Sequence, residues 1–315
     1  LNRQAIWDFP TFLWIPEPET VYEQIIAIPA GHMLTVKASG INIKRYEYAF
    51  SQNIPENLSD FEAVELTRSI VETAITDRLM SDVPVGSFLS GGLDSSIVAT
   101  VAAQNLSQLD TFTVSFENID DPYHGKADES VAAAQTAKLI GSNHHTIKVS
   151  SNSLRESLDD FCKFGDQPFS VSSGLGILAI AEVAKKSDIK VLLTGDGADE
   201  CFGGYSWYEH LAKFNPGKIE PEDTNVSFQN IGSSMEHRLK KITNMSPQHR
   251  AWAWHYYAHE NEKMSLFSKD WSGDLRSSHR HFDSLHNDSV GIDYIRHDRN
   301  FYFPNEMLTK VDRMT

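Results

Sequence analysis

Val85-Gly86-Ser87-Phe88-Leu89 followed by Ser90-Gly91-Gly92-Leu93-Asp94-Ser95-Ser96 is the stretch that decides how this 315-residue chain reads. The first five residues come straight after Pro84 and form the short apolar run of a buried strand. The next seven bring two adjacent glycines and three hydroxyls. An Ala- and Val-rich stretch over 95–104 then reads as a helix. Strand, glycine turn and helix in that order are the unit of a parallel sheet covered on both faces.

The turn has a chemical purpose as well. Adjacent glycines let the backbone approach an anion closely, because no Cβ stands in the way. The amides that open the following helix point at the same spot, where the macrodipole also favours negative charge. Ser90, Ser95 and Ser96 add hydroxyl donors, whereas Asp94 would repel a phosphate directly and suits Mg²⁺ bridging phosphate oxygens. A plain strand-to-helix turn also uses Gly and Ser, but the full seven-residue string after a buried strand favours a phosphate cradle. It is not a Walker A loop, since neither Gly125-Lys126 nor Gly217-Lys218 continues into Ser or Thr. Phe88 sits where a nucleophile elbow needs its first glycine.

Working outward, Ser59 and Glu62 form a capping box. Behind it Phe61, Val64, Ile70, Val71, Ala74, Ile75 and Leu79 recur at helical spacing. Downstream, strands are expected over 111–116, 147–149 and 190–194. Helices are expected over 128–139, with Gly141 as C-cap, and over 175–186. The last strand delivers a second glycine loop, Gly195-Asp196-Gly197-Ala198-Asp199-Glu200, then Phe202-Gly203-Gly204-Tyr205. In a parallel sheet both loops lie at the carboxyl ends of strands, where ligands bind. Three carboxylates beside a triphosphate favour a metal between them.

Residues 1–50 read as short strands and turns, with a half-alternating strand at Gly31-His32-Met33-Leu34-Thr35-Val36, and 51–58 as a linker. Beyond Asn215 the strand signal fades. Trp252, Trp254, Tyr256 and Tyr257 suggest irregular helices with an aromatic core. His144-His145 read as a strand-entry pair facing different sides. His279, His281, His286 and His297 match no zinc spacing and read as surface residues. Asp128-Glu129 suit a helix N-terminus.

Composition bounds the partners. Hydrophobic residues are 40% and charged residues 23%, as in ordinary soluble globular chains. Lys and Arg number 28 against 43 Asp and Glu, giving a net charge of −15 and a pI near 5.3. That balance disfavours nucleic acid, which Lys/Arg clusters hold, and with it a tRNA-modifying pyrophosphatase. Cys162 and Cys201 form no C-x-x-C pair, and the expected compartment is reducing, hence cytoplasmic. No apolar run approaches the roughly 20 residues that span a bilayer. Leu1-Asn2-Arg3 is not a signal peptide and suits an incomplete copy of a longer protein.

The stretch from Arg78-Leu79-Met80-Ser81-Asp82-Val83-Pro84 through Asp94-Ser95-Ser96 resembles the class B, glutamine-hydrolysing asparagine synthetases. So do Leu192-Leu193-Thr194-Gly195 through Tyr205, Pro304-Asn305-Glu306-Met307-Leu308 and Lys310-Val311-Asp312-Arg313-Met314. Thr20 to Val36, with Ile28-Pro29-Ala30-Gly31-His32, resembles the end of that family's glutaminase domain. The resemblance implies an α/β fold: a parallel sheet flanked by helices, of the N-type ATP pyrophosphatase (adenine nucleotide alpha hydrolase-like) kind. It divides the chain into a glutaminase-domain remnant of β structure over 1–50 and a synthetase domain over 51–315, with the C-terminal part of that domain missing.

The implied chemistry adenylates a side-chain carboxylate with ATP, releases pyrophosphate, and lets ammonia from the glutaminase form an amide. By motif position Asp94 and Asp199 correspond to Mg²⁺ ligands. Ser90, Gly91, Gly92, Ser95 and Ser96 correspond to the pyrophosphate cradle, and Leu89, Val114 and Gly195 to adenosine contacts. Asp196 stands where many members carry Glu, assigned to deprotonating or orienting ammonia. No N-terminal nucleophilic cysteine precedes Leu1, so this chain alone is not expected to hydrolyse glutamine. It also stops before the lysine that stabilises adenylation in the family, so adenylation by it alone is expected to be weak. The stretch matching the family's arginine-bearing aspartate grip, Gln167-Pro168-Phe169-Ser170-Val171-Ser172-Ser173-Gly174, has no arginine. A free carboxylate normally uses such a bidentate partner. The acceptor is therefore open between aspartate and another carboxylate, on a cell-surface sugar or a peptide. A nucleotide-binding homologue without catalysis is the further alternative, and a homodimer is left open.

Overall fold

The computed structural model describes residues 1–46, 57–116, 129–208, 257–258, 260–283 and 290–315. At its centre four parallel strands, β3 (Val85–Phe88), β4 (Asp110–Phe116), β5 (Asn143–Val149) and β6 (Val191–Leu193), lie in the order β5-β4-β3-β6. Chain order runs from β3 outward through β4 to β5, then returns to the other side of β3 for β6. The direction therefore reverses between β3 and β6.

Successive strand residues face opposite sides, and the core divides accordingly. Leu89 joins Ala99, Ala102, Leu109, Ala133 and Ala137 under α3 (Leu93–Asn105) and α4 (Ser130–Ile140). Its neighbour Phe88 packs with Phe112, Ile180, Ala184 and Ile189 under α7 (Ser173–Lys186), which follows the short helices α5 (Ser151–Glu156) and α6 (Leu158–Gly165). Small alanines let α3 and α4 approach the sheet closely. Gly86 is required for close approach, because a Cβ there would lie 3.0 Å from the Asp110 carbonyl oxygen and from Ile189 and Phe112. Gly141 ends α4 in the left-handed region, as its C-cap position predicts.

The capping box is present: Glu62 N donates to Ser59 Oγ, and Ser59 N donates to Glu62 Oε2, opening α2 (Asp60–Thr76). Its apolar stripe, however, is largely open. Phe61 is 74% exposed and Val64 56%, and only Ile75 in the helix is buried. β1 (His32–Lys37) and β2 (Gly40–Arg45) form the expected strand and its hairpin partner. Of the linker read over 51–58, residues 51–56 lie outside the described residues, as do Asp128, His286, Trp252, Trp254 and Tyr256.

The N-terminus departs from the sequence reading of strands and turns. Arg3–Phe12 is a helix, α1, capped by Asn2, whose side chain accepts from the amides of Gln4 and Ala5. Pro10 falls in its last turns and does not prevent it. Its buried face, Ala5, Trp7, Asp8, Thr11 and Phe12, meets the far end of the sequence. Thr11 Oγ1 donates to the Ala258 carbonyl, and the Arg280 guanidinium pairs with Asp8. Lys263, on α9 (Glu260–Leu266), sits 4.5 Å over the Trp7 ring.

The histidines differ from expectation too. His297 is 5% exposed, stacked on Phe301 and tilted against Phe282, while His281 lies edge-on to Phe12, so aromatic burial replaces surface placement. His145 has an acidic partner, Asp110 Oδ1 at 2.7 Å, and stacks on Phe112. The C-terminal part is helical and irregular as read. α10 (Lys269–Ser272) and α11 (Val290–His297) are followed by a π-helix over Asp298–Leu308 and by α12 (Thr309–Met314).

Candidate active site

Both glycine loops leave the carboxyl edge of the sheet on either side of the reversal between β3 and β6, the position where open α/β sheets bind ligands. The first loop is closed on itself by hydroxyls. Ser95 Oγ accepts from Ser90 N at 3.0 Å and lies 2.8 Å from Ser90 Oγ, which in turn accepts from Gly92 N at 3.0 Å. Ser96 Oγ donates to the Gly92 carbonyl at 2.7 Å. Gly92 caps α3 without any side-chain bond, so the first-turn amides have no side-chain acceptor. Gly91 packs against α4, where a Cβ would meet Ala132 Cβ at 2.9 Å. The geometry is an anion-receptive turn with Asp94 in the first helical turn, half-buried.

The second loop is pressed against the first. A Cβ on Gly195 would lie 2.8 Å from Ser95 N and 3.2 Å from Asp94 Cβ. Asp196 follows directly, its amide donating to Thr194 Oγ1. Gly197 takes φ +98°, and Phe303 of the π-helix lies over it, 2.6 Å from where a Cβ would stand. Asp199 opens α8 (Ala198–Phe202) and its carboxylate lies against Gly204, where a Cβ would overlap Oδ1. Behind it Glu200, 1% exposed, accepts from the Tyr205 hydroxyl at 2.6 Å. Tyr208 donates to Asp298 Oδ2 at 2.8 Å. Burial, then the neighbouring carboxylates, push both phenols far above their usual range, so they remain protonated donors.

Ser90, Gly91, Gly92, Asp94, Ser95, Ser96, Gly195 and Asp196 are thus brought to one edge, with Asp199 one helical turn further on. Leu89 lies beneath the loop, 1% exposed, its side chain in the α3–α4 core and its amide bonded to the Phe112 carbonyl. Val114 lies on the opposite face, against α7 beside Gly176. Among the described residues no three His, Cys, Asp or Glu side chains converge as a ready-made metal cage. Mg²⁺ does not require one. It is usually held by one or two carboxylates and substrate phosphates, which fits the chemistry of Asp94 in the first turn of α3 and of Asp199 in the short helix after the second loop.

Sequence reasoning missed what surrounds the 167–174 stretch. Ser170 N donates to the Leu13 carbonyl, so the N-terminal segment runs beside it. From the other end, α12 brings Lys310 against Gly174, and Arg313 to 3.5 Å from Asp166. The resemblance had put Lys310 and Arg313 in a motif without giving them a place.

The asparagine synthase family model matches residues 66–315. A glutamine-hydrolysing asparagine synthetase of Bacillus subtilis is 29% identical over 250 residues, covering 79% of this chain and 36% of that protein. An amidase of Penicillium rubens, chyE, is 30% identical over 211 residues, covering 61% of this chain and 30% of that protein. The chain therefore spans about a third of the length of these relatives. A solved NMN synthetase from Francisella tularensis shares 13% identity at a TM-score of 0.35, covering 78% of this chain and 94% of that one. With 250 residues matched, including both glycine loops and the helices that close over them, the chain belongs to the asparagine synthase family.

Proposed function

We propose that the protein activates a carboxylate with ATP for amide formation, as the synthetase part of a glutamine-dependent amidotransferase. The observation that carries this reading is the contact of Gly195 with the Asp94–Ser95 backbone, which joins the two loops at the sheet's reversal point. In this reading the amides of α3 with Ser90, Ser95 and Ser96 hold the departing pyrophosphate, and Leu89, Val114 and Gly195 border the adenosine side. Asp94 and Asp199 would hold Mg²⁺, which would supply charge neutralisation at the phosphates. An acceptor carboxylate oxygen attacks the α-phosphorus and pyrophosphate leaves. Ammonia then attacks the acyl carbon, AMP departs, and Asp196 orients the ammonia or takes its proton. Residues 1–50 correspond to the end of a glutaminase domain that supplies the ammonia.

Aspartate is one acceptor, and another carboxylate is the second reading. The arginine-free stretch over 167–174 favours the second, and the amidase name of one relative accords with it. ATP–pyrophosphate exchange with a panel of carboxylates tests both. Exchange with aspartate alone supports asparagine synthesis, and exchange with other acids supports the alternative. Mg-ATP binding without exchange for any acceptor favours a non-catalytic homologue. Asp94→Asn is expected to abolish exchange, and survival of activity would refute the metal assignment.

A further inference from the structure

The π-helix over Asp298–Leu308 touches two parts of the chain that are far apart in sequence. Residues 12–17 run along it. The Phe12 ring lies edge-on to Phe301 at 5.4 Å, the Trp14 ring edge-on to Tyr302 at 6.0 Å, and Glu17 N donates to Asn305 Oδ1 at 2.7 Å. The same helix meets the second glycine loop. Phe303 fills the space over Gly197, which stands in sequence between Asp196 and Asp199, and Asp298 accepts from the Tyr208 hydroxyl.

Asn305 is the polar joint of this arrangement. It is 7% exposed, and both ends of its amide are engaged. Oδ1 accepts from Glu17 N, while Nδ2 donates to the Phe301 carbonyl at 2.8 Å, so each end meets the group that fits it. The Glu17 carboxylate accepts in turn from Ala30 N at 3.3 Å, just before the β1–β2 hairpin. A buried amide left without a partner is costly, so segment and helix hold each other in register. π geometry is uncommon and recurs at functional sites, and Pro304 inside this helix has no N–H to donate. Bonds from outside therefore matter more to it than to an α-helix.

We propose that Asn305 is a positioning residue: its bond to Glu17 N seats Phe303 on Gly197 and so fixes the carboxylates of Asp196 and Asp199. The inference rests on the proposed function for what those carboxylates do, and adds how their placement is controlled. In that reading residues 1–50 end the ammonia-supplying domain and Asp196 receives the ammonia. The Glu17–Asn305 bond then links supply to use. Without it Phe303 is free to leave Gly197, and the second loop loosens around Asp199.

Hydrogen exchange and Mg-ATP titration on the full chain test this. The variants are Asn305→Ala, the size-conserving Asn305→Leu, Phe303→Leu, and the control Glu17→Gln, which leaves the backbone donor in place. The amides of Cys201, Gly203 and Gly204 are bonded within the second loop, to the Gly197 and Asp199 carbonyls. Both Asn305 variants should speed exchange there at least tenfold, while amides 99–103 in the middle of α3 change less than twofold. Mg-ATP affinity should fall at least fivefold, and ATP affinity with Mg²⁺ chelated less than twofold. Glu17→Gln should change none of these. Phe303→Leu should reproduce both effects, and Asn305→Leu combined with it should lose no more than either alone, because the same seat is broken. Additive losses, faster exchange spread equally through α3, or wild-type exchange at the second loop in both Asn305 variants would overturn the inference. A wild type that does not bind Mg-ATP sinks the proposed function instead. Exchange at the second loop then decides the seating by itself: faster in the Asn305 variants supports it, unchanged overturns it.

Discussion

Asp8 is fully buried, and burial alone would push its carboxyl up. His281, the Arg280 fork and the Ser278 hydroxyl outweigh that and hold its pKa at about 2, against an ordinary 3.8. The folded value lies below the unfolded one, so the unfolded chain binds this proton more tightly. The stability contributed is complete above about pH 5 and is lost as pH falls through 4 towards 2. A shift of this size corresponds to about 2 kcal/mol. Asp8→Asn is therefore expected to be less stable than the wild type at pH 6 by about 2 kcal/mol or more, since it also strands the Arg280 charge. The gap narrows by pH 2.5. Denaturant melts across that range check it, and a gap independent of pH would mean that Asp8 is not held ionised.

Among the elements, the second glycine loop allows the least substitution. Gly197 combines φ +98° with the Phe303 ring in the place of a side chain. Gly197→Ala is expected to cost about 2 kcal/mol, by left-handed strain and by displacing Phe303. It should also weaken Mg-ATP binding through the displaced Asp196 and Asp199. Thermal melts and nucleotide titration read the two effects separately.

β3, its loop and α3 were legible in the sequence because everything that specifies them is local: an apolar run, two glycines and a run of alanines. The capping box of α2 was legible for the same reason. α1 was not, although Asn2 and the spacing of Ala5, Asp8 and Phe12 carry a signal. Pro10 falls within it, and the partners that stabilise the helix stand some 250 residues away. The histidines failed likewise, since His297 is buried by Phe282 and Phe301, which no spacing rule brings to it. In the candidate site the residues of both loops could be named from motif. The placement of Lys310 on Gly174 could not, because it depends on how α12 packs on α7.

Over the whole molecule the two chain ends are tied together, α1 to the 257–283 segment, and the N-terminal segment touches the 167–170 stretch beside the ligand edge. A change at the beginning of the sequence can therefore reach the site without any local link. α2, packed beside α3, keeps its apolar stripe open. No helix among the described residues is long and apolar enough to cross a membrane, so that stripe does not belong to a spanning segment.

The exposed Phe61 and Val64 are expected to drive self-association of the isolated chain. Apolar contacts weaken on cooling and strengthen with sulfate, whereas an oppositely charged contact weakens with added salt. Self-association followed by sedimentation velocity is expected to grow with ammonium sulfate, recede at 4 °C and fall in the double variant Phe61→Ser, Val64→Ser. If it is unaffected by both cooling and the variant, the stripe does not drive association. Where the stripe does drive association, storage of the chain favours the cold and low salt, the reverse of the usual precaution for a protein whose copies meet through charge.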